Sequence, residues 1–403
     1  MKIHRNLALA VIDGLKNVLL QGRQADDTVE GLLQNNKSWG ARDRNFIASH
    51  IYGIIRYKRL YEFCVEQPLL NEKALWLALG TRLFAEDYTL PAWAEFEGID
   101  AAHLRQRYEE AQGSRKIRES VPDWLDEMGE KQLNDKWEKE LAALNLPARL
   151  SIRVNTLKTS KAIVEDLFKE AGIAFSGQGD APDALVLASR KNFTNNRAYR
   201  NGLFEVQDVS SQLVAPMLEV EPGMNVIDGC AGAGGKTLHI AALMRDEGEI
   251  LAIDVSQKKL DELQRRAIRA GCHIVVPKTA EELTRTLRTR LYNSADRILL
   301  DVPCSGLGVL RRKPDAKWTL TPGFIDGIVK TQAGILDEYA PMLKADGIMV
   351  YSTCSILPVE NQEQVRAFIE RQKGSYELLE EKIISAAETG FDGFYIAKMA
   401  RVK

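Results

Sequence analysis

From Gly202 onward strand, turn and helix alternate, and this rhythm constrains the fold more than any other feature of the chain. Asn225-Val226-Ile227-Asp228 is a short apolar strand that runs into the glycine-rich turn Gly229 to Thr237, with a helix through Met244. Ile250 to Ile253 repeats the pattern and ends at Asp254; the helix Gln257 to Ala270 follows, with Gly271 as its cap. His273 to Val276 and Arg297 to Leu300 read as further strands, and a helix from Phe324 to Leu343 precedes another at Ile348 to Tyr351. Such alternation predicts an α/β architecture with a mostly parallel, doubly wound, Rossmann-like sheet. Ligands of these sheets bind beyond the carboxyl ends of the strands.

Two strand exits carry cysteine. Arg297 to Leu300 leads into Asp301-Val302-Pro303-Cys304-Ser305-Gly306, and Gly347 to Tyr351 leads into Ser352-Thr353-Cys354-Ser355. One cysteine there reads as a small buried hydrophobe. Two, each followed by Ser at a strand exit, read as a pair facing one substrate. The five cysteines (64, 230, 272, 304, 354) are widely spaced with no C-x-x-C, which argues against a disulfide framework or structural zinc and for a reducing compartment. Met1 to Asn6 runs into a helix carrying Asp13 and Lys16, unlike a signal peptide, and no run of about 18 apolar residues offers a membrane span. A cytoplasmic protein with no membrane partner is expected. The near-neutral net charge of −2 leaves room for a local basic face and nucleic acid.

Three ligands compete for the glycine turn. A P-loop would need Gly at 230, which is Cys; a dinucleotide fingerprint starting at Gly232 would need Gly or Ala at 237, which is Thr. What remains is a glycine-rich turn with Asp254 at the end of the next strand, placed to bind two ribose hydroxyls. S-adenosylmethionine fits that set better than NAD or ATP. A methyl donor beside two thiols suggests carbon methylation of a pyrimidine. C5 of cytosine is a poor nucleophile until a thiolate adds to C6, which splits one hard step into easier ones. A second Cys, or a water it positions, then helps to remove the C5 proton, and Asp301 is placed to bind the base edge. Lys236 and Arg312 are candidate cations nearby.

Residues 1 to about 120 read as helical, with Ala8, Val11, Ile12, Leu15, Val18 and Leu19 at helical spacing, and likewise Ile47, Ile51, Ile54 and Ile55. Arg42, Arg44, Arg56 and Lys58, and the cluster Arg105, Arg107, Arg115, Lys116 and Arg118, are either RNA contacts or ordinary solvated faces. Val121 to Trp124 enters a new helix. A small α+β subdomain is expected between about 145 and 200, with strands at Leu150 to Asn155, Gly172 to Phe175 and Ala184 to Leu187, and a helix at Ser160 to Ala171. Its Arg153, Lys158, Arg190, Lys191, Arg197 and Arg200, interleaved with Phe193 and Tyr199, suit single-stranded nucleic acid.

These motifs resemble the RNA cytosine-5 methyltransferases of the Sun (NOL/NOP2/Sun, Fmu) type over about residues 145 to 403. Asp228 to Thr237 is similar to the family's cofactor loop, Asp301 to Gly306 to its D-x-P-C-S-G segment, and Tyr351 to Ser355 with Glu360-Asn361 to its nucleophile motif. Gln207 to Gln212, Gly308 to Arg312, Pro314 to Trp318 and Asp392 to Ala397 also match. The resemblance implies that Cys354 is the nucleophile, that Cys304 assists breakdown of the adduct, and that Asp301 takes part in catalysis. It further implies that Cys230, Ala231, Gly232, Ala233, Gly234, Gly235, Lys236, Asp254 and Asp301 contact S-adenosylmethionine, with no metal. Two dipeptides depart: Gly232-Ala233 stands for the usual Ala-Pro, which should loosen the turn, and Thr279-Ala280 for Asp-Ala, which removes a carboxylate near the adenine amine.

The resemblance divides the chain into a NusB-like helical RNA-binding domain (1–122), a linker helix with an RRM-like, ferredoxin-like subdomain (123–200) and a methyltransferase domain (201–403). Asp43 to Ile47 and Tyr52 to Arg56 carry the NusB likeness, which marks bacterial members acting on 16S ribosomal RNA, free or in a partly assembled small subunit. A tRNA cytosine-5 methyltransferase and a non-catalytic RNA-binding assembly factor are the rival expectations. An NAD-dependent oxidoreductase would leave the paired cysteines unexplained.

Overall fold

The computed structural model describes residues 3–97, 99–189 and 191–402, so Arg190 lies outside the described residues. They form two units, Met1–Leu146 with Leu310–Pro322, and Pro147–Val309 with Gly323–Lys403.

The first unit is helical. Arg5–Leu15 buries Leu7, Val11 and Leu15, and Ala41–Arg56 buries Ile47, Ile51, Ile54 and Ile55, as their spacing predicts. Gly14 has no room for a side chain against Ile51, which fixes a close approach of these helices. Glu72–Ala85 completes the core with Leu75 and Leu79 and is capped by Asn71, whose side chain accepts from the Ala74 N–H. The basic residues of the region are largely tied to neighbours. Arg115 binds Asp126 and Glu130, Lys116 binds Asp123, Arg118 binds Glu119 and Glu138, and Arg107 binds Glu110. Arg44 donates to the carbonyls of Leu33, Asn36 and Trp39, closing the end of helix Ala25–Asn35. The bland alternative therefore describes most of this cluster, while Arg42 stays exposed.

Leu310–Pro322 reaches this unit from far along the chain. Lys317, 0% exposed, donates to Arg56 O (2.8 Å), Glu119 O (3.3 Å) and Asn145 Oδ1 (3.0 Å), and Trp318 Nε1 donates to Ile55 O (2.7 Å). Burial, aided by the nearby Arg56 charge, lowers the Lys317 pKa to about 7.

The second unit opens with strands β1 (Leu150–Val154), β2 (Phe175–Gly177), β3 (Ala184–Leu187) and β4 (Phe204–Val206), in the antiparallel order β2-β3-β1-β4. Helix Lys161–Glu170 packs Val164 and Phe168 on Ile152, Val154 and Phe204. The strand expected at Gly172 to Phe175 begins only at Phe175, because Gly172 takes φ +62 and the Ile173 N–H folds back onto Phe168 O. Phe193 belongs to this core, stacked on Phe168 with centroids 6.0 Å apart, so it offers no platform for a base.

A mixed sheet follows, of strands β5 (Asn225–Asp228), β6 (Glu249–Asp254), β7 (Val275–Thr279), β8 (Ala295–Asp301), β9 (Leu343–Thr353), β10 (Tyr376–Ile384) and β11 (Phe394–Arg401). Their order among the described residues is β10-β11-β9-β8-β5-β6-β7, with β5 to β9 parallel and β10 and β11 antiparallel. The chain runs outward from β5 to β7, then returns to β8 on the other side of β5. The crevice beyond the ends of β5 and β8 is thus the switch point where such sheets bind ligands. Asp228 and Asp301 end those two strands.

Candidate functional site

A cavity of about 240 Å³ opens at this switch point. Seven of the nine expected cofactor residues line it: Cys230, Ala231, Gly232, Ala233, Gly235, Lys236 and Asp301. Gly234 and Asp254 instead hold the loop. The Asp254 carboxylate accepts from the N–H of Gly232 and of Ser256, each at 2.9 Å. Gly234 has φ +86, and a Cβ there would come within 2.7 Å of Leu263 Cγ. Gly232, at φ +55, turns the loop in a region that favours glycine and leaves open space where a side chain would stand.

The loop carbonyls are also held. Arg266 Nη1 donates to Ala233 O (2.7 Å) and Arg153 Nη1 to Gly235 O (2.8 Å). Arg153 is 2% exposed and also donates to Gln207 Oε1, so its expected role as a surface phosphate contact gives way to a structural one. Arg266 and its bond to the loop were not apparent from the sequence. Its place three residues after Leu263, on the helix that follows Asp254, is the signal that could have marked it. At the end of β7 the expected carboxylate is absent. Thr279 starts a 3₁₀ turn, and the neighbouring Glu282 carboxylate is folded back onto the Thr279 N–H and hydroxyl.

Asp228 is 1% exposed, accepts from Thr237 Oγ1 (2.7 Å) and lines the cavity. Burial raises its pKa to about 7. Lys236 Nζ lies 2.6 Å from Asp301 Oδ2, and Ser352 Oγ donates to Asp301 Oδ1 at 2.8 Å. Arg312, the other candidate cation, falls in the 310–322 segment of the helical unit. The donor set suits a cationic, adenosine-bearing ligand. Asp228 and Asp301 face the space, and Lys236 is already paired. A polyphosphate would meet two carboxylates here.

The two cysteines come together. Asp301 and Ser352 are register partners on the parallel strands β8 and β9, and three and two residues further on Cys304 Sγ and Cys354 Sγ stand 3.3 Å apart, both half-buried. The contact with Cys354, together with burial, pushes the Cys304 thiol well above its usual pKa, so Cys304 keeps its proton at neutral pH. Behind the thiols the backbone is packed tightly: Gly308 N–H donates to Cys354 O (2.9 Å), Gly393 N–H to Gly308 O (2.8 Å), and a side chain at 308 would strike Gly393 O.

A Rossmann-like sheet, a glycine loop after its first strand and an acid closing the second are those of an S-adenosylmethionine-dependent methyltransferase. Residues 215–400 match the family described as 16S rRNA methyltransferase RsmB/F, and residues 121–194 the ferredoxin-like domain of RsmF/B-like methyltransferases. A probable ribosomal RNA small subunit methyltransferase B from Synechocystis is 31% identical, over 91% of this chain and 89% of its own. Ribosomal RNA small subunit methyltransferase B from Yersinia enterocolitica is 29% identical over 100% of both chains. A solved methyltransferase homologue from Pyrococcus horikoshii covers 71% of this chain and 97% of its own, with TM-score 0.63 and 26% identity. The chain belongs to the RsmB/F family of methyltransferases. Among the described residues no helix is long and apolar enough to cross a membrane.

Proposed function

We propose that this protein methylates C5 of a cytosine in 16S ribosomal RNA, in the cytoplasm, through a covalent bond between Cys354 and C6 of the base. One observation carries the reading: two thiols 3.3 Å apart at the ends of neighbouring strands, beside a cavity fitted to S-adenosylmethionine. The names of the relatives supply the substrate.

In this reading Cys354 is the nucleophile. Cys304 retains its proton and stands within hydrogen-bond reach of Cys354 Sγ, at 3.3 Å. Asp301, held by Lys236 and Ser352, binds the base edge and stabilises the adduct. Cys230 to Lys236 and Asp254 shape the cofactor site, and the cofactor supplies a methyl group on a sulfonium. Once Cys354 is bonded to C6 it no longer shares a proton with Cys304. A water positioned by Cys304 then takes the C5 proton to solvent, after which the thiolate of Cys354 leaves. The helical unit, in its NusB-like role, and the ferredoxin-like subdomain carry the RNA.

The test is methyl transfer from isotopically labelled S-adenosylmethionine to free 16S RNA, to small subunits and to tRNA, with nucleoside analysis of the product. Label in 5-methylcytidine from 16S RNA is expected. Label confined to tRNA, or on another nucleoside, overturns the reading.

A further inference from the structure

The two cysteine turns are built alike. Cys304-Ser305-Gly306-Leu307 and Cys354-Ser355-Ile356-Leu357 share the pattern Cys-Ser-x-Leu, and both leucines are 0% exposed. In each turn the serine Oγ accepts from the N–H of that leucine, at 3.4 Å and 3.1 Å. The two serine oxygens stand 3.1 Å apart, and both hydroxyls donate to one atom, Oε1 of Glu360. Oε2 of the same carboxylate takes the Ser305 N–H (2.8 Å) and Gln332 Nε2 (3.1 Å). Glu360 is fully buried, and its own carbonyl accepts from Tyr351 hydroxyl at 2.6 Å. A buried carboxylate is costly unless its oxygens are satisfied. Here four donors fill two oxygens, and three of them come from the serines directly after the two thiols.

We propose that Glu360 is a positioning residue that sets the separation of Cys304 and Cys354, an inference that rests on reading those thiols as the reacting pair. Charge-assisted hydrogen bonds to both serines lock the two turns to a common point. Ion-paired or apolar substitutes do not reproduce this. A glutamine keeps the shape of Glu360 but turns an N–H toward two donors, and a serine-to-alanine change removes one arm of the clamp.

The experiment uses the full chain and three variants, Glu360→Gln, Ser305→Ala and Ser355→Ala, with Cys304→Ser as the background control. The thiol separation is probed by titration with phenylarsine oxide. The arsenic forms two As–S bonds, and its oxygen leaves as water with the two thiol protons, so no oxidant is needed. Bridging depends on the second thiol being within reach of the first, and a displaced pair should lose affinity at least about tenfold. Displacement of about 1 Å should also lower kcat about 100-fold in Glu360→Gln, with KM for RNA and cofactor affinity within about threefold of the wild type.

Loss of arsenical affinity together with a fall in kcat, at a melting temperature near that of the wild type, supports the proposal. Unchanged arsenical affinity overturns it, whatever happens to kcat, as does a parallel collapse of cofactor affinity and KM. Should Glu360→Gln fail to fold, the serine variants decide by the same criteria. Absence of methyl transfer by the wild type would count against the proposed function alone, since the arsenical titration still reports the thiols.

Discussion

Lys236 of the glycine loop and Asp301 at the end of β8 are joined at 2.6 Å, with Ser352 of β9 holding the other carboxylate oxygen. Two strands and the glycine loop thus meet at one carboxylate, which lines the cofactor cavity three residues before Cys304. Asp301→Asn keeps the shape and removes the charge, leaving Lys236, only 11% exposed in its side chain, without its partner. Methyl transfer should fall about 100- to 1,000-fold in kcat/KM, the scale of losing one charge-stabilising group in an active site. Steady-state kinetics on RNA checks this, and a loss under about fivefold would remove Asp301 from the chemistry.

Asp228 gives the cofactor site a pH dependence. Its folded pKa is raised to about 7 by burial, so the carboxyl is neutral below that value and charged above it. S-adenosylmethionine carries positive charge, and its affinity should therefore weaken as pH falls through 7. Calorimetric titrations on either side of that value should show the change in the wild type and a flat profile in Asp228→Asn. The sign for stability is the reverse: without ligand, the raised pKa contributes stability that is full below the unfolded value and is lost as pH rises through about 7.

The buried Lys317 makes the opposite prediction for the helical unit. Its folded pKa is lowered to about 7 from 10.5, so between those values the unfolded chain binds more protons and stability rises with pH. Lys317→Met removes the titration but also three donated hydrogen bonds. Urea unfolding of both proteins across this window separates the two effects. The stability difference should move in favour of the wild type as pH rises, and a difference independent of pH would mean that Lys317 is not desolvated.

The same lysine illustrates what a sequence hides. In Pro314-Asp315-Ala316-Lys317-Trp318 it looks like a surface charge, and only the return of this segment to Arg56, Glu119 and Asn145 buries it. Local rules served where local physics decides. The helix Gln257–Ala270 starts and stops where expected because Gly271 takes φ +72, and β5 has the expected ends because the glycine turn follows it at once. The meeting of two cysteines 50 positions apart was legible because each lies just past a strand exit, and parallel pairing aligns the exits. Phe193 and Arg153 are buried where the pattern suggests a nucleic-acid surface, because polar and aromatic residues in alternation do not reveal which side faces the core. The C-terminal hairpin β10–β11 is not legible in the sequence because Leu378, Leu379 and Ile383 on its outer strand are exposed, which blurs the alternation of a buried edge.

The most direct test of the central claim compares the wild type with Cys304→Ala and Cys354→Ala, each incubated with 16S RNA and S-adenosylmethionine and run on a denaturing gel. Cys304→Ala should form an adduct it cannot resolve and give a persistent protein–RNA band. Cys354→Ala should give neither band nor methyl transfer. Methylation of cytosine by Cys354→Ala, or an RNA-linked band that depends on Cys304 instead, would contradict the assignment of the nucleophile.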